Sequence, residues 1–116
     1  VESESRARRL DPMIDSEGFA DLAGIQLSYA AYQSLPDAER WATIPDVGLT
    51  SEQTFFVSHC MKWCTRDPGP RREPRSLYWH SRSRCIVPLR NMPQFADAFS
   101  CKPGDRMNPV KKCSFW

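Results

Sequence analysis

Glu17 and Asp21 stand four residues apart in "IDSEGFADLAG", and on a helix that spacing places two carboxylates on one face, within reach of one object. The plain reading is an acidic first turn that complements the helix dipole. The sharper one is a zinc-ligating carboxylate with a second carboxylate supporting it. A catalytic zinc takes three protein ligands, so a single glutamate does not hold it. The chain has two histidines, His59 and His80, and no H-E-x-x-H run. Any zinc site would therefore borrow ligands from outside this sequence.

His80 lies in "YWHSRSRC" with Arg82 and Arg84 close by, and neighbouring positive charge favours a neutral imidazole. It reads either as a loop histidine bonded to a backbone carbonyl or as part of an electrostatic pair. In the second case, histidine and arginine aim at an oxygen that gains negative charge during acyl transfer. His59, Cys60 and Cys64 match no common zinc-knuckle spacing and share an apolar helical stretch, so they read as core packing. Six arginines from Arg66 to Arg84, interleaved with Tyr78 and Trp79, have the residue types for phosphate contact and base stacking. Asp67, Glu73 and several prolines interrupt them, which argues against a regular basic face. No G-x-S-x-G elbow supports serine hydrolysis.

These residues need elements to position them. The chain of 116 residues, with a net charge of +2, is sized for one domain and makes no global electrostatic case for nucleic acid or an anionic membrane. It contains no apolar run long enough to span a bilayer and no signal-peptide pattern. Residues 1–12, opening "VESESRARRL", are charged and aperiodic and are expected to be poorly ordered or foreign to the fold. Asp15 or Ser16 can cap a helix in which Phe19, Leu22, Ala23, Ile25, Tyr29, Ala30 and Tyr32 recur at helical spacing to about Ser34. A short helix follows from Pro36 to about Ala42, with proline in its first turn. Thr50 and Gln53 have the spacing of a capping box and open a core helix carrying Phe56, Cys60 and Trp63 on one stripe. Residues 66–84 read as an exposed, arginine- and proline-rich loop, "CIVPL" as a short strand or extended segment, and "MPQFADAFSC" as a short helix. The class is mainly α. Five cysteines, Cys60, Cys64, Cys85, Cys101 and Cys113, suggest extracellular disulfide usage, and the odd count leaves a thiol free or paired with chain not included here.

Four segments, in order, resemble the C-terminal end of the neprilysin and endothelin-converting-enzyme family of zinc metallopeptidases. "SEGFADLAGIQLSYAAYQ" is similar to that family's G-E-N-[IVL]-A-D segment and the A-Y-x-A-Y run after it. "PDVGLTSEQTFFVSHCMKWC" resembles its P-G-L-x-L-[TS]-x-x-Q-L-F-F helix ending in W-C. "HSRSRCIVPLRNMPQFADAFSC" looks like H-S-P-x-x-x-R followed by an aliphatic stretch, N-x-x-x-F-x-x-A-F and a cysteine. "MNPVKKCSFW" is close to the M-N-P-x-x-K-C-x-x-W terminus. Together they cover about Asp15 to Trp116. Ser16, Gly18 and Phe19 replace the family's residues around the two acids, and the interval from His80 to Arg84 is about two residues short and lacks the usual proline.

The resemblance implies a helical C-terminal portion of a gluzincin-type catalytic domain, over residues 13–116, from an enzyme that hydrolyses extracellular peptides. It makes Glu17 the third ligand of one zinc ion and Asp21 the carboxylate that orients a zinc-bound histidine. His80 corresponds to the histidine that stabilises the tetrahedral intermediate, and Arg84 to the arginine that clamps a substrate carbonyl, with Arg82 a competitor for that role. The other zinc ligands and the general base belong to an upstream H-E-x-x-H helix, so the implied partners are peptide substrates and the N-terminal part of the same enzyme. The implied location is the outer face of the plasma membrane or the secreted space. Cys64, Cys101 and Cys113 fall at family disulfide positions with partners further upstream, whereas Cys60 and Cys85 have no counterpart and either pair or stay buried as thiols. Two other functions are weighed: a catalytically inactive relative acting as a secreted binding module, and a basic-loop nucleic-acid binder.

Overall fold

Proline is tolerated in the first turn of a helix because its missing N–H would have no intrahelical acceptor there. Pro12 opens α1, Pro12–Gln33, which begins upstream of the Asp15/Ser16 cap expected from sequence. The computed structural model describes residues 12–64 and 81–113 and, within these, side chains from residue 18 onward. Four more helices follow: α2, Asp37–Arg40; α3, Ser51–Met61; α4, Ser81–Arg90; and α5, Pro93–Ala98. No strand occurs among the described residues, in keeping with the mainly α class.

α3 starts where its sequence says it should. The Thr50 hydroxyl accepts from the Gln53 backbone N–H at 3.1 Å, and the Gln53 side chain accepts from the Thr50 N–H at 3.1 Å, which satisfies two donors that a bare helix end leaves unpaired. Gln53 also donates through Nε2 to the Ala98 carbonyl, 2.9 Å away, and so ties α3 to the end of α5.

The core forms where Leu22, Ile25 and Tyr29 of α1 meet Phe56 of α3 and Leu89 and Met92 of the α4–α5 junction. Each such side chain contributes about 1.5–3 kcal/mol on full burial. Tyr29 stacks on Phe56 at 5.4 Å, and Phe56 meets Phe95 edge-on at 5.5 Å. The buried stripe is narrower than the periodic one: Phe19 is 57% exposed and Ala30 is exposed. The Tyr29 phenol reaches Glu52 at 3.1 Å, while the Tyr32 hydroxyl donates to the Arg40 carbonyl at 2.8 Å and pairs with the Ser51 hydroxyl at 3.0 Å. Burial first, then the Glu52 carboxylate, push the Tyr29 pKa up to about 12.

"CIVPL" is helical, not extended, and Ser81–Arg84 belong to the same helix rather than to the arginine-rich loop. Two β-branched residues followed by proline read locally as extended chain, but α4 is packed against α1, α3 and α5. Tertiary burial of Pro88 and Leu89 overrides the local preference. At the end of α5, Ser100 adopts φ 53°, and the N–H groups of Ser100 and Cys101 bond the carbonyls of Asp97 and Ala96. This is the Schellman arrangement with serine in the position glycine prefers. The tail returns to α4 through the Cys113 N–H, which donates to Asn91 Oδ1 at 2.7 Å.

Candidate functional site

Asp21, one turn of α1 after Glu17, and Arg84, in the first half of α4, are 63 residues apart in sequence and meet in a two-pronged ion pair. Arg84 Nε donates to Oδ2 and Nη2 to Oδ1, both at 2.7 Å. The side chains are 19% and 13% exposed, so the pair sits mostly out of water. The guanidinium also lies over the Trp63 ring, 4.0 Å from its centre. Carboxylate on the edge and indole on the face fix the plane of an arginine in the two ways its geometry allows.

Behind this pair, adjacent residues of α3, His59 and Cys60, meet α4. Cys60 and Cys85 form a disulfide, resolving the alternatives left open for them. His59, 8% exposed, lies against the backbone of Arg84 and Cys85. Burial pushes the His59 pKa below its usual 6.5 and the nearby Lys62 adds to the shift, while those backbone contacts and the Asp21 carboxylate oppose it. Pro88 has no N–H to bond the Arg84 carbonyl four residues earlier. The packing role expected for His59 and Cys60 holds, with Cys60 also in a disulfide, whereas Cys64, expected to pack with them, is exposed because α3 ends at Met61. His59 Nε2 is buried without a hydrogen-bond partner.

A cavity of about 430 Å³ opens between α1 and α3, with Asp21, Gly24 and Ser28 on one side and Phe55, His59 and Lys62 on the other. Glu17 lies one helical turn before Asp21 on α1, but its side chain is outside the described residues, as is the whole of His80. Arg82 is exposed on the first turn of α4. Among the described residues no group of three His, Cys, Asp or Glu side chains could hold a metal ion, and both Asp21 oxygens are engaged by Arg84. Of the two carboxylates expected to serve a zinc, only that of Asp21 lies among the described side chains, and it is held by Arg84. The Trp63 platform and the linkage of Cys60 to Cys85 were missed as parts of the site. Their signals, a tryptophan three residues after Cys60 and an arginine immediately before Cys85, are visible only once α3 and α4 are known to touch.

The helical architecture agrees with the mainly α class that the four sequence segments implied. The model of peptidase family M13 matches residues 2–115, and the chain belongs to that family. It is 39% identical over 106 residues to Neprilysin-3 of Drosophila melanogaster, covering 86% of this chain and 13% of that protein. It is 40% identical over 106 residues to Endothelin-converting enzyme 1 of Mus musculus, covering 86% of this chain and 14% of that one. With Neprilysin-1 of Caenorhabditis elegans the identity is 34% over 110 residues, or 90% of this chain and 15% of the relative. The chain thus spans about one seventh of the length of the curated relatives it matches. No solved structure matches it. No described helix is long and apolar enough to cross a membrane.

Proposed function

We propose that this chain is the C-terminal part of a zinc metalloendopeptidase that cleaves extracellular peptides, working at the cell surface or in the secreted space. The observation that carries the reading is the two-pronged Asp21–Arg84 contact beside the cleft, in a chain of the M13 family. In this proposal Glu17 supplies one zinc ligand, and the other ligands and the general base come from elsewhere in the polypeptide. When bound, zinc supplies Lewis-acid activation of the scissile carbonyl and of water. Asp21 orients an imidazole that ligates the metal, fixing its tautomer and angle. Arg84, its plane set by Asp21 and Trp63, grips a backbone carbonyl of the peptide, and His80 donates to the oxygen that becomes negative.

The test is Glu17→Ala in the full-length polypeptide, with zinc content read by elemental mass spectrometry and hydrolysis read on an internally quenched peptide. Both are expected to be lost together, since a catalytic zinc site with two protein ligands retains metal poorly. Retention of both would remove Glu17 from the site.

A further inference from the structure

The two halves of α4 are held differently. Its buried residues are Pro88 and Leu89, which anchor the C-terminal half in the core with Met92. From Ser81 to Val87 no residue is fully buried. Here the helix is fixed by bonds rather than by depth: Arg84 to Asp21 and Cys85 to Cys60. Removal of Pro88's N–H from the helix ladder weakens the same turn further. Arg84 therefore depends for its place on its covalently linked neighbour.

We propose that the Cys60–Cys85 disulfide is a positioning device for Arg84, holding the first half of α4 against α3 so that the guanidinium stays in register with Asp21 and the Trp63 face. Three observations converge on this. The disulfide joins the residue after Arg84 to the residue after His59. Trp63 lies in the turn just past α3, where its N–H bonds the Cys60 carbonyl at 2.9 Å, so one crosslink sets the turn that bears the indole against the helix that bears the guanidinium. Asp21 comes from α1, so the ion pair holds only while the first half of α4 keeps its position against both α1 and α3. An arginine that binds a planar acceptor by two parallel bonds loses both when its plane turns, so a small shift of the turn has a large effect. This proposal rests on the peptidase reading for its catalytic consequence but not for its structural one.

Two measurements on the full-length polypeptide separate those consequences. The first is arginine labelling with a dicarbonyl reagent, resolved by peptide mass spectrometry, comparing Arg84 with the exposed Arg90 as internal standard. In Cys60→Ala/Cys85→Ala, Arg84 labelling is expected to rise severalfold relative to Arg90. If that variant does not accumulate, Cys60→Ala/Cys85→Val, which restores most of the side-chain volume, takes its place. The second is peptide hydrolysis, where the same variant should raise KM on the order of tenfold, misplacement by about 1 Å being able to cost up to roughly a hundredfold. In an Arg84→Ala background the cysteine substitutions should have no further effect on kcat/KM. A merely structural disulfide would lower activity in both backgrounds, and that result overturns the proposal. Unchanged Arg84 labelling also overturns it. Increased labelling in a polypeptide whose unmodified form hydrolyses no peptide supports the positioning role and sinks the peptidase reading instead.

Discussion

The Asp21–Arg84 pair allows the most quantitative test. With contacts of 2.7 Å at both prongs, the charge centres lie about 4 Å apart, which at an effective dielectric near 20 corresponds to about 4 kcal/mol of attraction. Desolvating two groups that keep only 19% and 13% of their exposure, and fixing two side chains, reduces the net coupling to about 2 kcal/mol. The perturbation is a cycle of Asp21→Asn, Arg84→Gln and the double variant. Each single change leaves its partner unmatched in a mostly dry place, so each is expected to cost more than half of what the double costs. The assay is native-state hydrogen exchange of the α4 amides, read by mass spectrometry in the full-length polypeptide, because local opening of that helix is the event the pair resists. The coupling should persist at raised salt, since a shielded pair is screened less than a surface one. Costs that add within about 0.5 kcal/mol would refute the reasoning and place the pair among exposed ion pairs that contribute little.

Two further outcomes follow from local structure. His59 has a folded pKa below 6.5 because it is buried; below that pH the unfolded ring gains a proton the folded ring resists, so stability should fall as pH drops through 6 and be unaffected above about 7. Urea midpoints from pH 5 to 8 should show this slope, and His59→Gln should flatten it. Ser100, held at φ 53° in the Schellman turn, should give about 1 kcal/mol more stability when changed to glycine, which takes that conformation without steric cost. An unchanged or lowered melting temperature would count against the cap.

Much of this architecture is readable from local pattern. Thr50 and Gln53 announce the start of α3 because a capping box involves only groups three residues apart. Leu22, Ile25 and Tyr29 announce the buried face of α1 because helical periodicity repeats within two turns. "CIVPL" was misread because Ile86, Val87 and Pro88 each favour extended backbone locally, and only burial of Pro88 and Leu89 against three other helices makes the segment helical. The site divides in the same way. Glu17 and Asp21 are legible as a pair because one helical turn separates them, while the roles proposed for them come from the family resemblance alone.

What the sequence determined by itself was membership and local form: a helical chain, the capped start of α3 and the apolar stripe of α1. What only the tertiary structure decided was which of the distant residues meet. The contact of Asp21 with Arg84 spans 63 residues and the Cys60–Cys85 bond spans 25. No spacing rule reaches that far, because helix and cap signals arise from hydrogen bonds within a few residues, whereas these contacts depend on how α1, α3 and α4 pack around Phe56 and Leu89.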